Sequence, residues 1–466
     1  MYSVCEIRSL FIAFPTDIRT FGTKPKPPWK EMQCQWEKTA CKIVENDNQL
    51  LLTKGSQLCL SIPYETIIKT IVDISALHIY FTKKSTQRSI LRKITLLFPS
   101  EKYPLILNDS IWNNINSKFT RPKNLLIIVN PYSGFKKGRK IFYKDVKPLL
   151  KLAGIRFAVR FTEYPKHAQE IIEEYNISEF DGIICMGGDG TFNEVLTKIL
   201  MTHQNSTTKI KMGLIPTGSM NALNLTTSRT VDVNTIVYQI ICGHHTGLDV
   251  IAIKKDGNLI ATAHSNIACG FLGETLSTSE KLRFLGPSRY LFAGINTFIK
   301  MPVCSAEVKF EAITDTLESD GCQRHCKICK KYASISPTYN TENSSLNNAF
   351  SHIQIVPNAC CSRDIKTGVA PKAHHGDGVM DVLLVESTSS PRKNCVELLT
   401  KCKFDLESRY NMPCLKTARA TNVLVRASYT DENCSDKPIV WNCDGELLYS
   451  NELELSILCQ AVKIYC

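Results

Sequence analysis

From Asn124 to Pro216 the chain alternates apolar runs with helix-patterned stretches, and this alternation restricts the fold of the 466 residues more than any other feature. Leu125-Leu126-Ile127-Ile128-Val129 and Gly182-Ile183-Ile184-Cys185 are apolar on both faces. Strands of that kind must be covered on both sides, as in a parallel sheet with helices above and below. Arg156 to Phe161 and Met212 to Ile215 read as two further strands, and helices are predicted at Ile141 to Leu152, Ala168 to Tyr175 and Val195 to Leu200. Strands separated by helices in this way indicate βαβ units. In such sheets ligands bind beyond the carboxyl ends of the strands.

All four strands run into loops of one chemical type at that position. The first loop is Asn130-Pro131-Tyr132-Ser133-Gly134, and the second is Thr162-Glu163-Tyr164-Pro165-Lys166. The third runs from Gly187, Gly188, Asp189 and Gly190 through Thr191, Phe192 and Asn193 to Glu194; the fourth is Pro216-Thr217-Gly218-Ser219-Met220-Asn221. Glycine lets a backbone pass close to a ligand, and a phosphate facing a helix start is met by free N–H groups. Short hydroxyl and amide side chains add donors. The third loop places a carboxylate, Asp189, among these features, which points to phosphoryl transfer; an aspartate capping a helix is the structural alternative. Gly134-Phe135-Lys136-Lys137-Gly138-Arg139-Lys140 is not a P-loop: it is one residue short and no Ser or Thr follows the lysine.

Together the four loops resemble the diacylglycerol-kinase catalytic superfamily, which includes sphingosine, ceramide and diacylglycerol kinases, from about Asn124 to the carboxyl terminus. The resemblance implies an α/β fold: a phosphofructokinase-like parallel-sheet nucleotide domain, then a β-rich lipid-kinase domain, with a divergent pleckstrin-homology-like β module in front. The corresponding boundaries are 1–120, 121–248 and 249–466, the last segment returning to the nucleotide site. The resemblance makes Asp189 the base that takes the proton of a lipid hydroxyl, with Gly187, Gly188 and Gly190 around the substrate. It places ATP against Asn130, Pro131, Tyr132, Thr162, Glu163, Tyr164, Pro165, Lys166, Glu194, Gly218, Ser219 and Asn221. Arg283 and Arg289 then face the phosphates, and Asp444, Gly445 and Glu446 return to the nucleotide. Mg²⁺ is implied, with its protein ligands unassigned. Gly376-Asp377-Gly378-Val379-Met380-Asp381 resembles a further turn of the family and is read as structural.

The acceptor is addressed by more distant residues. Cys322, Cys326 and Cys329 form a Cys-x3-Cys-x2-Cys triplet; alone, such a triplet suits iron–sulfur ligation, a partial zinc site with His325, or free thiols. The same spacing marks ceramide kinases, where it shapes the lipid domain, as do Trp441-Asn442-Cys443-Asp444-Gly445-Glu446 and the Cys360-Cys361 pair. Sphingosine kinases place an aspartate three residues before the Ser279-Glu280-Lys281 element to meet the substrate amine. Here that residue is Leu276, which favours a neutral amide such as ceramide. Diacylglycerol and sphingosine remain alternative acceptors. NAD kinases share a Gly-Gly-Asp-Gly-Thr loop but lack the other elements. An inactive lipid-binding adaptor would have no need of Asp189, Glu194 and Glu446.

The remaining sequence is read more coarsely. Residues 1 to about 120 predict short strands at Leu50 to Leu52, Leu58 to Ile62, Leu77 to Phe81 and Ile90 to Phe98, then a helix around Trp112. After Asp249 an antiparallel β region with one helix, Ser288 to Lys300, is expected, and residues 313 to 348 read as a polar insertion. The net charge of +12 favours phosphates and anionic membrane surfaces, and no nucleic-acid partner is expected. No run approaches the roughly 18 apolar residues of a spanning helix. With Met1 to Glu6 lacking a basic and apolar leader pattern and Tyr at position 2, neither a secretory signal nor myristoylation is expected, and the twenty cysteines follow no disulfide framework. A cytoplasmic protein bound peripherally to membranes is expected, with no clear calmodulin target in Val396 to Leu406.

Overall fold

The computed structural model describes residues 31–86, 88–202, 210–315, 322, 326–333, 337–387, 390–404, 410–431 and 436–466. Its centre is a run of parallel strands in the order Arg156–Phe161, Asn124–Val129, Gly182–Gly187, Lys211–Pro216. Both faces are covered, as the sequence of the strands requires. His167–Glu174 and Asp189–Thr202 pack Ala168, Ile171, Val195 and Ile199 against one face. The helical stretch from Gly138 to Ala153 and Val233–Cys242 pack Phe142, Leu150, Ile236 and Ile240 against the other.

The expected boundary between the parallel and antiparallel halves is bridged by one strand. Glu452–Tyr465 pairs in parallel with Lys211–Pro216 near its end, and antiparallel with Leu415–Tyr429 and His245–Lys255 along its length. The result is one continuous fourteen-stranded sheet. Its antiparallel part surrounds a core that includes Ile353, Ile355, Val425 and Trp441. Where His245–Lys255 crosses the bridging strand the register shifts, at Leu248 and Val250. The Asp249 carboxylate fills that irregularity, accepting from the N–H groups of Gln460 and Gly378 at 2.6 Å each.

Two expectations for this half need correction. The polar stretch 313–348 is only partly an insertion, because Thr341–Val356 is one strand whose residues Thr341 to Phe350 pair with Cys304–Ile313. Its first residues are largely exposed, so they carry Ser and Asn, and only the partner strand makes them extended. Among the described residues the region also holds three α-helices besides Arg289–Lys300: Phe271–Lys281, Lys327–Lys331 and Pro391–Phe404. Phe271–Lys281 has a weak helical pattern, and tertiary packing overrides its propensity.

Residues 32–97 form a separate seven-stranded antiparallel sheet, and Lys102–Lys118 inserts Leu107, Ile111 and Ile115 into its core. Residues 1–30 of the expected first module lie outside the described residues. This unit docks on the parallel half through Ile68, through an Arg121 bond to the Ile67 carbonyl (2.6 Å), and through the Ser89 N–H, which donates to Thr235 Oγ1 at 2.8 Å. Among the described residues no helix is long and apolar enough to cross a membrane.

Candidate active site

The strand-end loops are held together by backbone bonds and by side chains that bond to backbone. The strand Gly182–Gly187 and the helix Asp189–Thr202 are separated by a single residue, so the helix starts at Asp189 rather than at Val195. Thr217 and Gly218 both donate N–H bonds to the Gly187 carbonyl, at 2.9 and 2.8 Å. Position 218 has to be glycine, because a Cβ there would come within 2.3 Å of the Gly188 Cα. The Asn130 amide donates to Thr191 Oγ1 at 3.0 Å, and its oxygen accepts from the Tyr132 N–H to shape the first loop around Pro131. Tyr132 is exposed and Ser219 half-buried, while Asn221 caps the following helix in a left-handed conformation and bonds both ends of Gly218.

The second loop is organised by histidine. Glu163 donates its N–H to His167 Nδ1 at 3.1 Å, and the Tyr164 ring stacks on the same imidazole, 4.4 Å between centroids. Thr162 is buried, Pro165 and Lys166 are exposed, and Lys166 takes a left-handed conformation before the helix His167–Glu174. Glu194 reaches across from the neighbouring helix and accepts the Ala168 N–H at 3.1 Å.

Asp189 is half-buried, and its two oxygens accept the N–H groups of Ala222 and Leu223 at 3.0 Å each, at the start of the helix Ala222–Thr227. Packing around the carboxylate raises its pKa, against the lowering influence of His264 and of these two N–H groups. The C-terminal element meets the loop directly, since a Cβ on Gly190 would lie 2.7 Å from Glu446 Oε1. Asp444 and Gly445 form the two-residue turn between Val440–Cys443 and Glu446–Tyr449, both with positive φ, as tight hairpins demand. Groups crowding its carboxylate desolvate Glu446 and raise its pKa, with Glu280 adding to the rise and Arg283 and Lys166 opposing it. Burial likewise raises that of Glu194, and Glu446 is the nearby charge that adds to it.

Behind this surface is a sealed polar block. Asp444 accepts the backbone N–H groups of His264, Ser265 and Asn266 at 2.7, 3.0 and 2.7 Å, and its Oδ2 lies 2.7 Å from His264 Nδ1. Burial alone would lower the His264 pKa; Asp444, with Asp189 behind it, raises it on balance. Asn193 closes the block by donating to the Thr262 carbonyl at 2.7 Å while accepting from its hydroxyl at 3.0 Å.

Residues 124–253 match the model of the diacylglycerol kinase catalytic domain. A Bacillus anthracis chain assigned to the diacylglycerol kinases shares the fold, with a TM-score of 0.53 and 18% identity over 75% of this chain and 97% of that one. Human ceramide kinase is 26% identical over 426 residues, covering 80% of this chain and 79% of the relative. Ceramide kinase 1 of Caenorhabditis elegans is 30% identical over 415 residues, covering 82% and 73%. The chain belongs to the ceramide kinase family. It is an ATP-dependent lipid kinase.

The remaining site residues can be placed on this kinase. Arg283 and Arg289 both pair with Glu280, Arg289 at 3.3 Å. Asp377 pairs with Arg419 at 2.8 Å, away from the Asp189 group. Leu276 is buried in the helix Phe271–Lys281. Cys322, Cys326 and Cys329 stand together, while His325 lies outside the described residues. The sequence reading missed His264 altogether. Nothing in Ala261-Thr262-Ala263-His264-Ser265 distinguishes it from a core histidine, and its role depends on Asp444, 180 residues away.

Proposed function

We propose that this kinase transfers the γ-phosphate of ATP to the primary hydroxyl of ceramide, forming ceramide 1-phosphate, with Asp189 as general base. The observation that carries the reading is the junction at Asp189: the strand-end loops on one side, and the sealed block of Asp444 and His264 on the other. The lipid oxygen attacks the γ-phosphorus, its proton passes to an Asp189 oxygen, and the bond from phosphorus to the bridging oxygen breaks to release ADP. A raised pKa suits this role, because a base works best when its pKa approaches the working pH. His264 is a positioning residue whose charge steadies the Asp189 carboxylate.

ATP fits loops whose backbones are tied at Gly187 and Gly218, with Asn130, Pro131, Tyr132, Thr162, Glu163, Tyr164, Pro165, Ser219 and Asn221 around the nucleotide. Lys166, Arg283 and Arg289 supply cations for the phosphates once Glu280 yields its partners. Glu194 and Glu446 offer the hard oxygens that Mg²⁺ prefers, and one or two carboxylates plus phosphates are its usual protein site. When bound, that ion would neutralise phosphate charge. The buried Leu276 supports a neutral amide acceptor, since no carboxylate stands there for an amine.

The helix Arg289–Lys300 supports membrane docking. Leu291, Phe292, Ile295 and Ile299, with Phe284 before it, are exposed apolar side chains flanked by Lys281, Arg283 and Lys300. An apolar face rimmed by cations suits a peripheral membrane contact. In this reading residues 1–120 are a pleckstrin-homology-like module, 121–248 the ATP-binding domain and 249–466 the lipid-binding domain of a cytoplasmic protein. The test is phosphorylation from radiolabelled ATP with ceramide, sphingosine and diacylglycerol offered in mixed micelles. Ceramide 1-phosphate is the expected main product; preference for either other lipid sinks the ceramide assignment.

A further inference from the structure

Away from the Asp189 cleft, Cys322, Cys326, Cys329 and His374 converge, their sulfur and nitrogen atoms all within 4.8 Å of one another. Cys322 Sγ lies 3.4 Å from Cys329 Sγ, and Cys326 Sγ lies 3.3 Å from His374 Nδ1. Tetrahedral zinc, with bonds of about 2.3 Å to sulfur and about 2.0–2.1 Å to nitrogen, sets its ligand atoms about 3.6–3.8 Å apart. Small side-chain adjustments therefore suffice. Three of the four residues are buried and Cys326 is half-buried, so no ligand position opens widely to water.

We propose that these four residues bind one Zn²⁺ as a closed structural site. Thiolates and imidazole are soft to borderline donors, which select zinc and reject the Mg²⁺ of the transfer reaction. Each thiol would lose its proton on binding, and no oxidant is required.

The position explains what such an ion would hold. Gln460, on the bridging strand, donates from Nε2 to the Cys329 carbonyl at 2.7 Å and to the Gly376 carbonyl at 2.9 Å. It thereby ties both ligand-bearing segments to the strand that joins the two halves of the sheet. The His375 carbonyl accepts the Asp249 N–H at 2.6 Å, at the register shift of that strand. The segment leading to His374 also supports the active site. Asn358 Nδ2 donates to the His264 carbonyl at 2.6 Å, and the Cys361 N–H donates to Thr226 Oγ1 at 2.9 Å. A metal at His374 would anchor the far end of the segment whose near end steadies His264.

The experiment is zinc analysis of the full chain, purified under reducing conditions and passed through a desalting column. About one zinc per chain is expected, as for a four-ligand structural site. Replacement by Co²⁺ should give the intense thiolate-to-cobalt absorption of a sulfur-rich tetrahedral site. Cys326→Ser and His374→Ala should lose the metal, while His374→Cys should retain it. If the variants fail to fold, the wild-type chain still decides. A chain without zinc that takes up no Co²⁺, or one with a Cys322–Cys329 disulfide under those conditions, overturns the proposal.

Discussion

In the parallel half of the catalytic unit the strand-end loops keep Tyr132, Glu163 and Lys166 exposed to solvent, whereas in the antiparallel half Asp444 and His264 are sealed from it. Lys166 and Glu446 are exposed and Glu194 and Asp189 half-buried, but the side chains of the Asp444–His264 pair have no exposed surface. A surface that admits and releases a nucleotide needs reachable donors. A block that stabilises charge works best when it is preorganised and dry. Asp189 lies where the two designs meet, taking its N–H bonds from the first and its electrostatic neighbour from the second.

The strongest way to break this comparison is at the meeting point. Asp189→Asn should leave ATP affinity near wild type and lower turnover by about 10²–10⁴-fold, the usual worth of a general base. In the wild-type enzyme turnover should fall at acid pH with an apparent pKa above the ordinary aspartate value of about 3.9, because burial raises that of Asp189. Steady-state kinetics across pH, with ATP binding followed by calorimetry, check both; an Asn variant with wild-type turnover would remove Asp189 as base.

A smaller effect separates the sealed block from the open one. His264→Asn should cost about 1.5–3 kcal/mol, the range for a hydrogen bond to a charged group. The folded-state pKa of His264 is raised, so its ionic contribution is fully present below the unfolded value of about 6.5 and is lost as pH rises through the folded value. The stability gap between variant and wild type should therefore narrow with rising pH, measured by urea denaturation. A gap that widens would contradict the Asp444–His264 pairing.

The smallest change is expected at the outer surface. Ile295→Asp with Ile299→Asp should leave turnover on ceramide in detergent micelles nearly intact and weaken vesicle binding about tenfold, consistent with loss of roughly 1.5 kcal/mol of apolar burial. Vesicle sedimentation measures this, and undiminished binding would move the membrane contact elsewhere.

Much of the parallel half was legible because its signals are local. An apolar strand such as Leu125 to Val129, followed at once by Asn130-Pro131-Tyr132, carries both the covering helices and the ligand side in adjacent residues. The antiparallel half hides its structure in its pairing. The residues Thr341 to Asn348 are polar because they are largely exposed, and they are a strand because Cys304–Ile313 lies beside them. The helix Phe271–Lys281, which carries Leu276 and Glu280, is not legible in the sequence because its apolar pattern is weak.

By itself, the sequence determined the four strand-end loops, Asp189 as the carboxylate among them and the cysteine triplet, since each is written within a few consecutive residues. Tertiary structure decided which distant groups join them. His264 meets Asp444 across 180 residues, Glu446 comes to rest against Gly190, and His374 stands beside the triplet. The physical reason is that local backbone preference extends over a turn or two, whereas these meetings are made by strand pairing. They exist only once Glu452–Tyr465 and the hairpin before it have closed the sheet.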